Sequence, residues 1–304
     1  MQSLKECPAC NSKQVLFFFR KDDCDFLECK DCKLIFQNPL PTVERLATDF
    51  LTQKARWHLR LNKDLIKIKR PRKDFVKIIN TLINMGSNGN LLDVGCSNGE
   101  LMFLAKEKGF DVYGVEINKD SAKIAADNGL DVFVGKLQTA NFPSDYFSVI
   151  CLMGVIEDIP DPALLLQECW RILKKDGIMV ITTLNTDCFW VKATKKLNAW
   201  FEFPWSVIIP YYRIFIFSDA NLKDLLLRSK FNVKNIEYSS VSLRHELGAV
   251  RWLLKSNKKK SIGNACYLLL VFFTYSFVYF INLLTSPFLS KDFIVIFFAQ
   301  KGAD

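Results

Sequence analysis

The sequence predicts an α/β fold in which a mostly parallel β-sheet is covered by helices on both faces. From residue 90 to residue 184, short apolar stretches with strand composition alternate with stretches of helical periodicity. Such alternation is typical of parallel sheets whose strands are joined by helices. A length of 304 residues is enough for one main domain with its own core plus a small module. An apolar content of 50% excludes a disordered chain.

Local patterns predict the individual elements of this domain. Strands are predicted for the apolar runs NLLDVG (90–95), DVYGVE (111–116), LDVFV (130–134), YFSVICL (146–152) and GIMVITTL (177–184). Helices are predicted over 74–86, 99–109, 119–129 and 161–177, where apolar residues recur every three to four positions. In the last helix Asp161 is a suitable N-cap, Pro162 suits the first turn, and Lys174–Lys175 suit the final turn.

The first predicted strand leads into a turn of small residues, LLDVGCSNGE (91–100). Gly95 allows the backbone to turn sharply, and Gly99 allows the following helix and a ligand to approach closely. The free N–H groups at the start of that helix can bind polar ligand atoms. Glu116 ends the next strand, where a carboxylate can accept hydrogen bonds from both hydroxyls of a ribose. The features together predict a nucleoside-containing cofactor, although the Gly-x-x-x-Gly spacing differs from the dinucleotide fingerprint.

These motifs resemble those of class I S-adenosylmethionine-dependent methyltransferases over residues 88–301. GLDVFVGKLQTANFPSDYFSVI is similar to the family's third and fourth strands, and VIEDIPDPALLLQECWRILKKDGIMVITTLN to the segment that follows. FNVKNIEYSS (231–240) and DFIVIFFAQK (292–301) resemble its antiparallel sixth and seventh strands. More narrowly, the chain resembles the ubiquinone-methyltransferase-like branch, often associated with small molecules, lipids and sugars. The resemblance implies a Rossmann-like seven-stranded sheet and S-adenosyl-L-methionine as the cofactor.

The resemblance also implies the cofactor-binding residues. They are expected to be Asp93, Gly95, Cys96, Ser97, Gly99, Glu116, Ile117, Leu137 and Met153. The sequence departs from the family's pattern at Ser97 (often glycine), Ser148 (often aspartate), Asp158 (often histidine) and Leu184 (often proline). Because Ser148 and Asp158 belong to the pocket region, a non-catalytic protein that kept the cofactor fold is an alternative.

Three residues are candidates for catalysis. Glu157 and Asp158 follow the fourth strand, which the resemblance implies lies beside the transferring methyl group, and either carboxylate could accept a proton from the acceptor. His245, in SLRHELG, has an intrinsic pKa suited to a general base. A solvated histidine is the alternative there. Tyr212 and Arg213 are weaker candidates for contacting a sugar or phosphate.

The N-terminal 40 residues contain two Cys-x-x-Cys motifs, Cys7–Cys10 and Cys29–Cys32. Four thiolates at this spacing satisfy tetrahedral zinc, and paired motifs are the sequence form of a zinc ribbon. We expect this zinc to be structural, because four sulfur ligands leave no open position. With no N-terminal signal peptide visible, ten cysteines indicate a reducing compartment.

The remaining chain is divided by composition. We expect a zinc ribbon at 1–40, a basic helical linker at 41–87 and a methyltransferase domain at 88–301. Within that domain, 185–217 is aromatic-rich and is predicted to form a lid, and 261–290 is an apolar insertion between the last two strands.

The apolar insertion contains no charged residue, and its 20-residue core, Ala265–Leu284, has the length of a bilayer-spanning helix. Lys258–Lys260 lie directly before it, as expected for contact with anionic lipid. Because the flanking strands should pair antiparallel, we expect either an interfacial helix or a re-entrant hairpin broken at Asn282 and Thr285–Pro287. A buried helix, a dimer interface and a true span are alternatives.

A net charge of +9 favours an anionic partner. We expect a methyltransferase that acts on a small-molecule, sugar or lipid-linked acceptor, in the cytoplasm and peripheral on the inner membrane face. The alternative is a ribosomal or transfer RNA methyltransferase with the basic stretch 54–73 along the phosphates. Nucleic acid is the less favoured partner.

Overall fold

The computed structural model of the chain describes residues 4–21, 24–41, 71–201, 213–239, 262–289 and 292–302. Some of the residues singled out in the sequence are not in these ranges. The candidate base His245, the residue Tyr212 and most of the basic 54–73 stretch lie outside the described residues.

The described residues form two sheets and the helices packed on them. The N-terminal module holds β1 (Val15–Lys21), β2 (Cys24–Cys29) and β3 (Ile35–Asn38). It is followed by α1 (Lys73–Asn84), β4 (Asn90–Val94), α2 (Glu100–Glu107), β5 (Asp111–Glu116), α3 (Lys119–Asp127), β6 (Asp131–Val134) and β7 (Phe147–Met153). The remaining elements are α4 (Pro162–Ile172), β8 (Leu173–Leu184), α5 (Phe189–Phe201), β9 (Phe215–Ile216), α6 (Asp219–Arg228), β10 (Phe231–Ser239), α7 (Ile262–Leu289) and β11 (Ile294–Lys301).

The larger sheet has seven strands in the order β10-β11-β8-β7-β4-β5-β6. The five strands from β6 to β8 are parallel, whereas β11 pairs antiparallel with both β8 and β10. This confirms the predicted α/β fold with a Rossmann-like seven-stranded sheet. The chain order reverses between β4 and β7, so a crevice opens there at the carboxyl ends of the strands.

The core lies on both faces of this sheet because its central strands are apolar on both sides. On one face α1 and α2 bury Ile78, Leu82 and Leu101 against β4, β7 and β8. On the other face α4 and α6 bury Leu166 and Leu225. Two covered faces explain why the central strands read as continuous apolar runs in the sequence.

The helix α4 ends earlier than its sequence predicts. Asp161 accepts a hydrogen bond from the backbone of Leu164, and Pro162 lies in the first turn, as expected for the start. However, the helix stops at Ile172, and the prediction that Lys174–Lys175 form its last turn is wrong. The buried Leu173 is already extended and pairs with Phe147, so both lysines belong to the exposed beginning of β8.

The smaller sheet has the order β1-β2-β3-β9. Its first three strands are the cysteine-rich module, whereas β9 comes from the segment that follows α5, inside the predicted 185–217 lid. The α5 helix of that segment packs on the rest of the protein, since Trp190 and Val191 are buried against α7 and the module.

The apolar insertion is one continuous helix. α7 runs unbroken through Asn282 and Thr285–Pro287, so the predicted hairpin with a break at these positions is wrong. The strand pairing sets Ser239 opposite Ile294, so the chain does leave and return at one end of the sheet, and it does so without a break in this helix. Within the part of the chain that the structure describes, no helix is both long enough and apolar enough to cross a bilayer.

One side of α7 packs on the domain and the other faces outward. Tyr275 is fully buried and meets the ring of Trp190 edge-on at 5.4 Å between centroids, whereas Phe273 is 65% exposed.

We predict that Tyr275→Ala lowers the free energy of unfolding by about 3–5 kcal/mol, because it leaves a cavity. The matched variant Phe273→Ala should cost under about 1 kcal/mol. Denaturant unfolding of both variants checks this, and equal losses would contradict the packing.

Candidate functional site

The candidate site lies at the carboxyl ends of β4, β5, β6 and β7, beside the reversal of strand order. Parallel strands bring these ends to one edge of the sheet. The turn after β4, Glu116 at the end of β5 and the Glu157 loop after β7 therefore meet in one region. The predicted residues of these three segments are brought together, as the resemblance implies.

The glycine turn is shaped by close packing. Gly95 has φ +72°, and its N–H donates to the carbonyl of Val115 at 2.7 Å. A Cβ on Gly95 would come within 2.6 Å of a Val155 methyl carbon. Gly99, at φ +84°, precedes α2 and contacts Leu130 and Ala125. Gly95 thus allows the sharp turn, and Gly99 allows α2 and α3 to pack closely.

Ser97 occupies the position where the family often has glycine. Its φ is +51°, in the left-handed region that costs a side-chain-bearing residue about 1 kcal/mol. The conformation points the Ser97 backbone N–H at Glu116, and the distance to Oε2 is 2.8 Å. Ser97 therefore adopts a left-handed backbone, as a glycine could at this position, and its N–H binds Glu116.

Glu116 joins the two strand ends. Besides the bond from Ser97, its Oε1 accepts a hydrogen bond from the backbone of Asn118 at 2.7 Å. Burial raises the pKa of Glu116, and the backbone bonds from Asn118 and Ser97 offset this only in part. Each carboxylate oxygen has a second lone pair. The side chain is therefore fixed in place and can still accept a bond from a ligand hydroxyl.

Asp93 is the most deeply buried acid at the end of β4, only 2% exposed. Its Oδ1 accepts no hydrogen bond from any described residue. Burial, followed by the charge of Glu116, raises the pKa of Asp93 to about 8, and the guanidinium of Arg72 acts in the opposite direction. A buried, unsatisfied carboxylate at a crevice is suited to binding a cationic group.

The other predicted cofactor residues surround the same edge. Cys96 and Leu137 are buried, Met153 is half-buried, and Ile117 is exposed at the mouth. The N–H of Gly135 donates to the carbonyl of Glu116 at 3.0 Å, which ties the end of β6 to the end of β5.

Two residues near this edge are not anticipated by the sequence. A Cβ on Gly114 would come within 2.8 Å of both Cys96 Sγ and Met102 Sδ, so this strand glycine makes room under the turn. Arg72 lies near enough to Asp93 to affect its pKa, and its backbone N–H donates to Glu100 at 3.1 Å. A glycine inside a strand was the available indication for Gly114. Arg72 is one of many basic residues in its stretch, so nothing in the sequence distinguishes it.

The loop after β7 carries the two candidate acids. Glu157 is buried, and its Oε2 accepts no hydrogen bond from the described chain. Burial raises the pKa of Glu157, although Arg213 and Thr183 oppose the shift. Burial and then the neighbouring Glu157 raise the pKa of Asp158 well above its usual range. Arg213, a weaker candidate for contacting a sugar or phosphate, lies where its charge acts on both acids.

The four predicted metal ligands meet in the N-terminal module. Their sulfur atoms all lie within 4.8 Å of one another, with Cys7–Cys32 at 3.5 Å and Cys10–Cys29 at 3.6 Å. Zinc–sulfur bonds of about 2.3 Å in a tetrahedron require sulfur separations of about 3.8 Å, so the cluster can hold zinc.

The two cysteine turns share one backbone geometry. Asn11 donates to the carbonyl of Cys7, and Lys33 to that of Cys29, each one residue after its motif. Both Asn11 and Lys33 are left-handed, at φ +58° and +63°. The repeated turn is typical of a metal-binding cysteine cluster and is not expected of four cysteines that are only packed in a core.

A model of the methyltransferase domain family matches residues 66–236, more than half of the chain. The chain belongs to this family. The match covers the glycine turn, Glu116 and the Glu157 loop, and so includes the carboxyl ends of β4, β5, β6 and β7 where the candidate site lies.

Curated relatives are similar over a shorter stretch. The chain is 29% identical to a ubiquinone biosynthesis O-methyltransferase of Nitrosomonas europaea over 35% of this chain and 48% of the relative. The same enzyme of Glaesserella parasuis is 29% identical over 38% and 58%. The chain thus spans about half the length of these relatives.

A solved structure shares the fold. The "SAM-dependent methyltransferase, possible histamine N-methyltransferase" of Thermotoga maritima superposes with a TM-score of 0.51 over 84% of this chain and 98% of its own. At 17% identity this likeness extends to the fold alone.

The residues at the edge fit an adenosyl cofactor with an amino-acid end. Asp93 has an unsatisfied buried oxygen for a cationic group, and Glu116 has free lone pairs for hydroxyls. Gly95, in the turn after β4, has no side chain and a φ of +72°. The polar groups at this edge therefore agree with the family assignment.

The raised pKa of Asp93 predicts a pH-dependent stability. A folded pKa of about 8, above the ordinary 3.8, means that the favourable contribution of this group is fully present below pH 4 and is lost as pH rises through 8. We expect Asp93→Asn to raise the melting temperature by several degrees at pH 8.5 and much less at pH 5, without ligand. The exposed Asp111→Asn is the control. A difference independent of pH would contradict the assignment.

Proposed function

We propose that this protein transfers a methyl group from S-adenosylmethionine to a small-molecule, sugar or lipid-linked acceptor at the cytoplasmic face of a membrane. The observation that carries the transfer is the joined edge of β4 and β5, where Glu116 bonds the Ser97 backbone beside the unsatisfied Asp93. Family membership supports it independently.

The cofactor supplies a methyl group on a sulfonium, which is already a strong electrophile. The protein therefore has mainly to align the acceptor and exclude water. In this proposal Glu116 accepts bonds from the ribose hydroxyls, and Asp93 balances the cationic amino-acid end. The apolar Leu137 and the half-buried Met153 keep water from the crevice.

Glu157 is proposed to orient the acceptor or take its proton. Its buried Oε2 is unsatisfied, and burial raises its pKa, so the group can hold a proton at a higher pH than an exposed glutamate. Burial, and then the charge of the neighbouring Glu157, raises the pKa of Asp158, so two negative charges in this loop are costly.

The acceptor class is supported by two findings. The curated relatives, as distinct from this chain, are named as O-methyltransferases of ubiquinone biosynthesis. In this chain, seven exposed apolar side chains stand on α7: Leu269, Leu270, Phe272, Phe273, Phe277, Phe280 and Leu284. At about 100° per residue, all except Phe272 fall within an arc of about 100°. They form an outward apolar face opposite the buried Val271 and Tyr275.

We propose that this α7 face lies on an anionic membrane surface. The helix contains no charged residue, and Lys258–Lys260 precede it in the sequence, so aromatic contact and charge attraction would act side by side. Phenylalanine and leucine favour the boundary between headgroups and acyl chains. A lipid-linked acceptor would then reach the enzyme without leaving the membrane.

The transfer is tested with radiolabelled S-adenosylmethionine and separated lipid, glycan and RNA fractions. We expect label in the lipid or glycan fraction, reduced at least tenfold in Glu157→Gln. The exposed Glu107→Gln is the control and should keep full transfer. Label in RNA would favour the alternative substrate class. Cofactor binding without label in any fraction would identify a binding protein and refute the proposed enzyme.

The membrane contact is tested by flotation with vesicles of neutral and anionic phospholipid. We expect the protein to float with anionic vesicles, and Phe273→Ser with Phe277→Ser to reduce the bound fraction at least fivefold. Phe133→Ser, which removes an exposed phenylalanine from the edge strand β6, should not change it. Equal binding of the double variant, or self-association of the wild type through this face in ultracentrifugation, would overturn the proposal.

A further inference from the structure

The short strand β9 is one of the connections between the cysteine module and the acceptor side of the site. β9 pairs antiparallel with β3, with Ile35 opposite Ile216 and Phe36 opposite Phe215. On the module side, the N–H of Gln37 also donates to the carbonyl of Ile214 at 2.8 Å. The segment that begins at Arg213 therefore completes the sheet of the module.

The same segment holds the loop that carries the candidate acids. The backbone N–H groups of Ile214 and Phe215 both donate to the carbonyl of Glu157 at 2.9 Å. Arg213, directly before them, acts electrostatically on Glu157 and Asp158. One strand thus contacts the module on one side and the acid loop on the other.

A second connection reaches a metal ligand directly. The side-chain amide of Asn221 donates to the carbonyl of Cys32 at 3.3 Å. The oxygen of the same amide accepts a bond from the backbone of Ser218, so Asn221 also caps α6. The position of α6 and the segment before it is therefore tied to the backbone of the ligand cluster.

The module and the site also share one core. Cys7, Cys29, Leu34 and Phe36 belong to the same buried cluster as Ile156, which precedes Glu157. Phe215 of β9 lies in that cluster and is fully buried. By contrast, no hydrogen bond among the described residues joins Ser97 or Glu116 to the module, although Val94 and Val115 beside them belong to the shared cluster.

We propose that the metal held by Cys7, Cys10, Cys29 and Cys32 is a positioning element for the acceptor side of the site. By ordering β3 it keeps the segment 213–217 against the Glu157 loop. The cofactor edge, held together by Glu116, does not depend on it. The metal takes no part in the chemistry, because four sulfur ligands fill its coordination. The inference rests on the proposed function only where methyl transfer is the readout.

The test compares the full-length protein with Cys32→Ala and with protein treated with a chelator. In both we expect zinc content to fall from one per chain and amide hydrogen exchange in 213–218 and 154–158 to become at least tenfold faster. Exchange in 91–97 and affinity for S-adenosylhomocysteine should change less than twofold, while methyl transfer falls at least tenfold. Adding zinc back should restore the chelated protein.

Two further variants separate positioning from unfolding. Cys24→Ala removes a buried cysteine of the same module that is outside the four-sulfur cluster, and should leave zinc, exchange and transfer unchanged. Asn221→Asp keeps the acceptor that caps α6 but loses the donor to Cys32. It should keep its zinc and still speed exchange in 213–218 at least threefold.

Unchanged exchange at 213–218 after metal loss would overturn the inference. Equal loss of cofactor affinity and transfer would also overturn it, because the metal would then support the whole fold. If the wild-type protein transfers no methyl group, the proposed function fails. The exchange and zinc measurements still decide the positioning role in that case.

Discussion

The constraint on which the site depends is that β4 and β5 are parallel neighbours whose carboxyl ends must stay together. Glu116 fixes this contact with two short hydrogen bonds, from Ser97 after β4 and from Asn118 after β5. The bonds account for the left-handed Ser97 and for the small residues around it. Asp93, at the end of β4, is buried with an unsatisfied oxygen, which is costly unless a ligand binds. Stability and binding are therefore opposed at this edge.

The N-terminal module is part of the same folded unit as the methyltransferase sheet. It obtains its fourth strand from β9, far along the chain, and shares a buried cluster with the α6 helix. A module this small buries too little apolar surface to fold alone, so the docking surface contributes to its stability, as would zinc bound by the four cysteines. The Glu157 loop lies where the two parts meet, whereas the edge formed by Ser97 and Glu116 belongs to the larger sheet.

The sequence was most informative where structure follows from local pattern. Alternating strands and helices predicted the parallel strands of the sheet, and the family resemblance implied its two antiparallel strands. The spacing of Cys7, Cys10, Cys29 and Cys32 predicted that their thiols meet in space. The cofactor edge was predictable because residues at parallel strand ends converge whatever the loops do. Which of these residues bind the cofactor stays a prediction.

Features that depend on tertiary contacts were not predictable in the same way. The pairing of β9 with β3 joins segments about 180 residues apart. Because β9 has only two residues, its sequence is too short to show the alternation of apolar and polar residues that predicts a strand. The end of α4 was predicted too late, since the pairing of Leu173 with Phe147 overrides local helix preference. The unbroken α7 shows that Asn282 and Pro287 do not by themselves end an apolar helix.

The most direct test of the account is the affinity of the purified protein for S-adenosylhomocysteine, measured by calorimetry. We expect Glu116→Gln to weaken binding at least tenfold, or about 1.4 kcal/mol, because an amide nitrogen cannot accept the bonds that this carboxylate accepts. Glu107→Gln, on the exposed end of α2, should bind like the wild type. Equal affinity of all three proteins, or no binding by any of them, would contradict the central claim.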